Sequence, residues 1–424
     1  MRVLVLGAGV IGATTACLLA RDGHAVTVVD RQPGPGLETS FANGGQIAAS
    51  HAEPWASPHV LPQLVRWLGR DDAPLQFRWL RLDPALWGWG ARFLLNCRSS
   101  AHARNMERAV RLALYSRDRL RSLRSDLGLR YDARTDGILH VYRNPHSLRP
   151  AGAAAEIMTA AGLERHHISI DEAVDREPAL ADAAPSLAGA FFSPGDESGD
   201  ALRFTELMAE DAARHGARML YGTGVRRLLR SAVNRHRLTG VMTDTGPIEA
   251  DAVVLALGSF SRPLARTVGL RLPIYPAKGY SITLDVREGD RAPQVSLTDD
   301  EHRMVFSRLG DRLRCAGTAA LEGWNTALNP ARVALTLRTA QALFPRGGNY
   351  DDPNSWCGLR PSTPDSVPIL GLAPRFENLW LNTGHGTMGW AMAAGSAQVT
   401  ADLIAGRAPG IEVSDLGAGR FLGA

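Results

Sequence analysis

The chain has 424 residues, enough for two to three domains of about 150 residues around a large buried core. Hydrophobic residues make up 45% and charged residues 21%, which excludes a disordered, collagen-like or coiled-coil chain. The net charge of +4 is too small to indicate a nucleic-acid-binding protein, and four cysteines without CxxC spacing favour neither a disulfide scaffold nor a metal site. No apolar run has the length of a transmembrane helix, so we expect a mature, cytoplasmic sequence.

The first thirty residues predict a dinucleotide-binding unit. A β-rich run at 2–6 leads into Gly7-Ala8-Gly9-Val10-Ile11-Gly12, an alanine-rich helical segment, and a second strand that ends at Asp30. Gly7 permits a tight turn, Gly9 lets the backbone approach a pyrophosphate, and Gly12 lets helix and strand pack closely. Asp30 suits ribose hydroxyls and favours NAD or FAD over NADP, although the neighbouring Arg31 weakens that exclusion.

A second glycine-rich junction near the carboxyl end favours FAD. A predicted strand at 378–381 runs into residues 383–389, which precede an alanine-rich helix at 391–404. The amino terminus of that helix can stabilise an anion. An NAD enzyme needs only one such junction, whereas a flavoenzyme uses a second to hold the flavin ring. Runs at 217–221 and 252–257 predict further strands of the same sheet.

Five stretches of the chain resemble a known family. The sequence is similar to the D-amino acid oxidase superfamily of FAD amine and amino acid oxidoreductases, and within it to the bacterial D-amino acid dehydrogenases of the small-subunit type. The stretches are VLGAGVIG (5–12), VVDRQPGPGLETSFANGGQI (28–47), YPAKGYS (275–281), WCGLRPSTPDSVPILG (356–371) and NLWLNTGHGTMGWAMAAGSA (378–397). They follow the order of the family from one end of the chain to the other, and the LETSFANGGQ and NTGHGTMGW segments are specific to the dehydrogenase group.

The resemblance implies residues that hold FAD. A loop would cover the flavin and its ribityl chain, Val225 would contact the adenine side, and Gly258 would lie near the pyrophosphate or flavin. The loop contains Thr39, Ser40, Asn43, Gly44, Gly45 and Gln46. The pyrimidine edge of the flavin would be held by Gly384, His385, Gly386, Thr387, Met388 and Gly389. Main-chain donors suffice there, so the His385 side chain is expected to be an ordinary loop side chain.

Three residues are candidates for substrate contacts. The resemblance implies that Arg360 binds a substrate carboxylate, and a guanidinium fork suits a planar carboxylate. Lys278 is the only lysine in the chain, which makes it either a residue near the flavin or substrate, or a surface lysine spared by chance. Tyr280 either hydrogen-bonds the substrate or lies half-buried in a strand. Cys357 is expected to be an ordinary thiol rather than a covalent flavin attachment.

The implied reaction is oxidative deamination of D-amino acids. A hydride passes from Cα to flavin N5, and the released imino acid hydrolyses to a 2-oxo acid and ammonia. The electrons would pass to a respiratory acceptor. Three alternatives stay open: a sibling enzyme acting on D-hydroxyproline, sarcosine or glycine, a flavin-binding partner subunit of a larger dehydrogenase, and an NAD dehydrogenase.

Residues 52–131 depart from the nucleotide-binding pattern. Five of the nine tryptophans fall there, namely Trp55, Trp67, Trp79, Trp87 and Trp89. Fourteen arginines and six acidic residues between Arg66 and Arg130 give a net charge of +8. This region is either a helical layer of the substrate domain or a surface for an anionic bilayer, where electrons would reach a membrane quinone or an intermediary. Peripheral contact with the cytoplasmic face of a membrane is therefore one prediction, whereas nucleic-acid binding is not expected.

The predicted fold class is α/β, with a Rossmann-like FAD-binding domain and a discontinuous α+β substrate domain. The FAD-binding domain is expected at 1–50, 185–262 and 350–424. The substrate-binding domain is expected at 51–184 and 263–349, with a mostly antiparallel sheet. Candidate strands of that sheet lie at 137–142, 280–286, 304–308 and 313–317.

Overall fold

A computed structural model describes residues 1–67, 73, 75–77 and 82–421. The helices in these residues are α1 (Val10–Arg21), α2 (Val60–Trp67), α3 (Pro84–Asn96), α4 (Ser99–Leu127), α5 (Pro145–Ala160), α6 (Ile170–Arg176), α7 (Ala201–Arg214), α8 (Ser261–Arg266), α9 (Pro330–Leu343) and α10 (Gly389–Ile404). The first strands are β1 (Arg2–Leu6), β2 (Ala25–Val29), β3 (Gln46–Ile47), β4 (Leu75–Phe77), β5 (Ile138–Tyr142), β6 (His166–Ile168), β7 (Gly189–Ser193), β8 (Glu197–Ser198), β9 (Arg218–Leu220) and β10 (Val225–Arg230). The remaining strands are β11 (Leu238–Thr243), β12 (Gly246–Glu249), β13 (Ala252–Leu255), β14 (Tyr275–Asp285), β15 (Ser296–Asp299), β16 (Met304–Leu309), β17 (Arg312–Leu321), β18 (Asn354–Ser362), β19 (Ile369–Leu372) and β20 (Leu379–Thr383).

The amino-terminal strand is at the centre of a six-stranded sheet. The strand order is β19-β20-β13-β1-β2-β9, and every pair is parallel except β19 with β20. Strand β1 is apolar at successive positions because both of its faces are covered: Val3 and Val5 join one core cluster, and Leu4 and Leu6 join another. The strands predicted at both ends of the chain therefore meet in one Rossmann-like sheet, as expected.

A nine-stranded sheet forms the second layer of the molecule. Its path is β18-β14-β17-β16-β15-β5-β7-β6, with β4 added beside β17. All described pairs are antiparallel except β15 with β5 and β17 with β4. The four strands predicted for the substrate domain are β5, β14, β16 and β17, and the mostly antiparallel character of the sheet is confirmed. This sheet carries the side chains that face the cavity described below.

Two strands lie in a different sheet from the one that the predicted domain boundaries imply. Strands β7 and β18 fall inside the segments 185–262 and 350–424, but both hydrogen-bond within the nine-stranded sheet. Strand β18 pairs with β14 over nine residues, which extends the substrate-side sheet into the carboxyl-terminal segment. A sequence pattern does not specify which strands pair with each other, so the predicted boundaries were drawn without the pairing of these two strands.

Residues 82–127 form two helices that connect the layers. Trp89 is buried in α3, and its indole donates a hydrogen bond to the Ser362 carbonyl of β18 at 2.9 Å. Helix α4 packs closely on α10, where the Ser116 hydroxyl accepts a hydrogen bond from the Gly395 amide at 3.0 Å. Trp79 lies outside the described residues. Within the described ranges, no helix combines the length and apolarity needed to cross a membrane.

Candidate functional site

A continuous cavity of about 1200 Å³ runs from the amino-terminal turn to the start of α10. Most of the sequence-predicted cofactor residues line it: Gly7, Gly9, Val10, Ile11, Asp30, Arg31, Thr39, Ser40, Asn43, Gly44, Gly45, Gln46, Val225, Gly258, His385, Gly386, Thr387, Met388 and Gly389. Gly12, Gly384 and Lys278 are not among the lining residues. The structure thus brings both glycine-rich junctions to one site.

The amino-terminal turn is shaped by its glycines. Gly7 has φ +103°, a backbone conformation that few residues other than glycine adopt. A Cβ on Gly12 would lie 1.9 Å from the Gly7 carbonyl oxygen, so Gly12 serves the close packing of α1 on β1 rather than direct contact with a ligand. Helix α1 begins after Gly9 with no acidic residue in its first turn, which leaves its positive end available to a phosphate.

Asp30 ends β2 at the nucleotide side of the cavity. Its two carboxylate oxygens accept the amide hydrogens of Ala8 at 2.7 Å and Gln32 at 2.8 Å, and burial raises the pKa of the carboxyl group. A carboxylate has further lone pairs, which remain for ribose hydroxyls. The motif did not point to Glu38, which lines the cavity and accepts hydrogen bonds from Arg31. The Arg31 guanidinium is engaged there and also lies 3.8 Å from the centre of the Phe260 ring.

The loop at 39–46 is held against the nine-stranded sheet. Arg314 of β17 donates a hydrogen bond to the Asn43 carbonyl at 3.0 Å, and the Ser307 hydroxyl of β16 donates one to the Gly44 carbonyl at 2.7 Å. A Cβ on Gly44 would lie 2.3 Å from Val305 Cγ2, so a side chain would push the loop off the sheet. The loop therefore closes the cavity from the side of the second layer.

The carboxyl-terminal junction presents main chain to the cavity. Helix α10 begins after Met388 with no acidic residue in its first turn. The His385 ring is buried and hydrogen-bonds Ser396 of α10 at 3.0 Å, and burial lowers its pKa to about 3, so the ring is neutral at neutral pH. Gly384 does not line the cavity, and a Cβ on Gly384 would lie 2.8 Å from Thr363 Cγ2. The expectation of an ordinary side chain at His385 agrees with this geometry.

These features fit FAD. Two helix amino termini open onto one cavity, which suits a pyrophosphate at α1 and the electron-rich pyrimidine edge of a flavin at α10. The glycines of both junctions, Gly7, Gly9, Gly386 and Gly389, line the cavity, and its volume of about 1200 Å³ leaves room for a flat ring system.

Arg360 lies on β18 opposite Ala277 of β14 and lines the cavity. Its Nη1 donates a hydrogen bond to the Thr318 carbonyl at 2.8 Å. A Cβ on Gly279 would lie 2.3 Å from Arg360 Cζ, so the guanidinium lies across the bare backbone of that glycine. No acidic side chain among the described residues pairs with it. Burial lowers the pKa of Arg360 to about 10, which still leaves it cationic at neutral pH, so this cation lacks a counterion.

Lys278 and Tyr280 do not converge with Arg360. Successive side chains of a strand point to opposite faces, so both residues leave β14 on the face opposite Gly279. Lys278 is 1% exposed. Its Nζ atom lies 3.2 Å from the Glu322 carboxylate and donates a hydrogen bond to the Ala327 carbonyl. The same Nζ atom lies 5.3 Å from the centre of the Tyr280 ring. Tyr280 borders the cavity; burial raises the pKa of its hydroxyl, and the nearby Lys278 ammonium counteracts that shift. Lys278 is therefore not the surface lysine of one alternative, because it is buried. The structure shows no contact of Lys278 with the cavity either, since its ammonium is engaged by Glu322 and the Ala327 carbonyl, so a role near flavin or substrate stays a prediction.

Cys357 pairs across the strands with Tyr280, and its thiol donates a hydrogen bond to the Thr326 carbonyl at 3.0 Å. Burial raises the pKa of this thiol, which disfavours the reactive thiolate. An ordinary half-buried cysteine describes it, in line with the expectation from the sequence.

A group of polar residues in the cavity wall, Ser50, His140 and Asp300, was not predicted from the sequence. The Ser50 hydroxyl and the His140 ring are 2.8 Å apart, and the other nitrogen of that ring lies 3.5 Å from the Asp300 carboxylate. Asp300 remains ionised because His140 counteracts its burial and holds its pKa well below the usual range. These residues come from distant parts of the chain, so no local spacing links them. Thr318, the partner of Arg360, was missed for the same reason.

Comparisons with known proteins agree with this site. The profile of the DAO family, described as FAD dependent oxidoreductase, matches residues 2–403. D-amino acid dehydrogenase from Paramagnetospirillum magneticum is 53% identical over 421 residues, covering 99% of this chain and 99% of that protein. D-amino acid dehydrogenase from Dechloromonas aromatica is 53% identical over 414 residues, covering 96% and 98%.

Glycine oxidase from Geobacillus kaustophilus has a similar solved structure, with a TM-score of 0.77, 22% identity and 98% of each chain covered. At that identity the likeness supports the fold alone. The fold class and the family predicted from the sequence stretches are confirmed. A family profile that spans nearly the whole chain, and a cavity joining two helix amino termini, lead to one conclusion: the chain belongs to the DAO family of FAD-dependent oxidoreductases.

Proposed function

We propose that this chain oxidises D-amino acids to 2-oxo acids and ammonia with FAD and passes the electrons to a membrane acceptor. The observation that carries the proposal is the Arg360 guanidinium, a half-buried cation in the cavity wall without an acidic partner among the described residues. A partly desolvated cation without a counterion is unfavourable, and a substrate carboxylate would supply the missing charge. The names of the two relatives at 53% identity support D-amino acids as the substrate class.

The chain's own residues bind and orient the substrate. Arg360 would hold the carboxylate by its free guanidinium edge, because the other edge is bound to the Thr318 carbonyl. Bound FAD supplies the acceptor for the hydride that leaves Cα. The substrate also loses one proton from its ammonium group, and water converts the released imino acid to the 2-oxo acid. Fixing the carboxylate restricts the position of Cα, and such positioning of the reacting atom lowers the barrier to the reaction.

We place the contact with the acceptor membrane on α3. Trp87, Leu94 and Leu95 are 47%, 52% and 55% exposed and share one face of this helix, opposite the buried Leu86 and Phe93. The exposed Arg92 and Arg98 flank them, which suits an anionic lipid surface. Several residues of the segment 54–67, which precedes α3 in the chain, line the cavity, and we propose that electrons leave the flavin site along this segment. We also propose a cytoplasmic location, because all four cysteines are free thiols.

The test is flavin reduction under anaerobic conditions. Purified holoenzyme is mixed with D- and L-alanine, D-proline, D-hydroxyproline, sarcosine and glycine, and flavin bleaching is followed. We expect fast bleaching with D-alanine and D-proline and none with L-alanine. Arg360→Leu should raise the KM for D-alanine by about 100-fold, the effect of losing a charged hydrogen-bonded pair. The control Arg262→Leu removes an equal charge that does not line the cavity.

Three outcomes decide against the proposal. Reduction by glycine or sarcosine alone would favour the sibling enzymes, and absence of reduction by every amine would favour a partner subunit. An equal rise of the KM for D-alanine in Arg360→Leu and Arg262→Leu would show that Arg360 does not bind the substrate.

A further inference from the structure

Thr318 has an unusual backbone conformation beside the substrate site. It lies on β17 with φ +51°, in the left-handed region, where a β-branched residue is a true outlier. The other residues with positive φ in the described chain, glycines aside, are Asp132, Arg303, Ser366 and Arg375. Thr318 is the only β-branched one among them, and the pairing of β14 with β17 is irregular at this point. Such strain persists where the surrounding structure demands it, and it concentrates at functional sites.

The carbonyl and the hydroxyl of Thr318 differ in their hydrogen bonding. Its carbonyl accepts the 2.8 Å hydrogen bond from Arg360, which fixes one edge of the guanidinium. Thr318 is only 5% exposed, and its side-chain hydroxyl has no hydrogen-bond partner in the described structure. A buried hydroxyl without a partner costs free energy, and Thr318 is one of the residues that line the cavity.

The strained backbone and the unpaired hydroxyl both belong to Thr318, whose carbonyl is hydrogen-bonded to Arg360. Arg360 in turn has no acidic partner among the described residues. A carboxylate bound to Arg360 has four lone-pair positions, of which a guanidinium edge uses two. A hydroxyl donor beside that edge can use a third. We propose that Thr318 is a second substrate-binding residue: its carbonyl orients Arg360, and its hydroxyl donates a hydrogen bond to the substrate carboxylate. This inference rests on the proposed function of Arg360.

The test uses holoenzyme with Thr318→Val, which removes the hydroxyl at nearly constant shape, and Thr318→Ser, which keeps it. Two quantities are measured: the kcat and KM for D-alanine, and the Kd of propionate, a carboxylate without an amine, by calorimetry. For Thr318→Val we expect the KM and the propionate Kd to rise about tenfold, the effect of one charge-assisted hydrogen bond, with kcat changed less than about twofold. Because Thr318→Ser keeps the hydroxyl, its KM and propionate Kd should lie within about twofold of the wild-type values.

A purely structural role would give a different result. Removing an unpaired hydroxyl should leave the melting temperature unchanged or higher, so a lower melting temperature with unchanged propionate Kd would overturn the inference. A shifted flavin spectrum with unchanged propionate Kd would assign the hydroxyl to the cofactor and also overturn it. If Thr318→Val does not fold, Thr318→Gly removes the hydroxyl while tolerating the positive φ, and the same rise in Kd is expected.

Arg360→Leu separates this inference from the proposed function. If Arg360→Leu weakens propionate binding and Thr318→Val does not, the inference alone fails. If neither variant weakens it, the carboxylate site itself is wrong.

Discussion

The position of Arg360 depends on a neighbouring residue that has no side chain. Gly279 lies beneath the guanidinium, and a Cβ there would meet Arg360 Cζ at 2.3 Å. We predict that Gly279→Ala displaces the guanidinium and raises the KM for D-alanine about tenfold, since one displaced charge-assisted contact is worth that much. Steady-state kinetics measure the change.

The control for this prediction is Gly152→Ala in α5. A Cβ at Gly152 has no neighbour within 4 Å, and alanine favours a helix, so stability should rise by about 0.5–1 kcal/mol with an unchanged KM. An unchanged KM in Gly279→Ala as well would show that the guanidinium does not need this space.

At this scale, residue type alone singled out candidate residues but did not indicate which of them lie side by side. Arg360 was found because its motif resembles the family and because a guanidinium suits a carboxylate. Lys278 and Tyr280 were chosen for their chemistry, but strand alternation places Gly279 on the side of Arg360 and those two residues on the other side. Only the pairing of β14 with β18 reveals which residues of β14 lie beside Arg360, and the pairing is not encoded locally.

At the scale of elements, the contact of α1 with β1 should control cofactor binding. A Cβ on Gly12 would lie 1.9 Å from the Gly7 carbonyl oxygen, so α1 must move away from the turn that faces the cavity. We predict that Gly12→Ala costs about 1–3 kcal/mol of stability, as overpacking does, and that the purified protein loses most of its FAD. The ratio of flavin to protein absorbance gives the occupancy.

A matched control is Gly23→Ala, just beyond the end of α1. Gly23 has φ +80°, and a Cβ there would have no neighbouring atom within 4 Å, so alanine adds backbone strain of about 1–2 kcal/mol without a clash. It should lose comparable stability yet keep FAD. Equal loss of FAD in both variants would attribute the effect to general instability rather than to the turn.

The elements themselves were largely predictable. The strands β1, β2, β13 and β20 and the helix α10 follow from short apolar runs bounded by glycines. The assignment of β7 and β18 to the larger sheet was not predictable, because neither segment carries a local signal for the strands it pairs with. The burial of individual tryptophans was not predictable from their number in this region either: on helix α3, Trp89 is buried and Trp87 is exposed.

At the scale of the whole molecule, the exposed face of α3 should bind lipid. We predict that replacing Trp87, Leu94 and Leu95 together by serine weakens binding to anionic vesicles at least about tenfold, because three apolar side chains no longer enter the interface. Cosedimentation with vesicles rich in anionic lipid measures it, and added salt should weaken the binding of the unaltered protein.

Ile157→Ser on α5 is the control, since Ile157 is 43% exposed on a different helix. Flavin reduction by D-alanine should be unchanged in both variants. Equal vesicle binding by the two variants would contradict a membrane contact at α3.

The strand order also governs when the cofactor site can form during synthesis. Strand β1 emerges from the ribosome first, but its partner β13 follows roughly 250 residues later and β20 later still. At about 5–20 residues per second, the nascent chain must spend many seconds with its leading strand only partly sheltered. A polypeptide that stops before β20 retains the first phosphate turn but lacks the second helix terminus. We therefore expect stable FAD binding only after β20 and the start of α10 have left the ribosome.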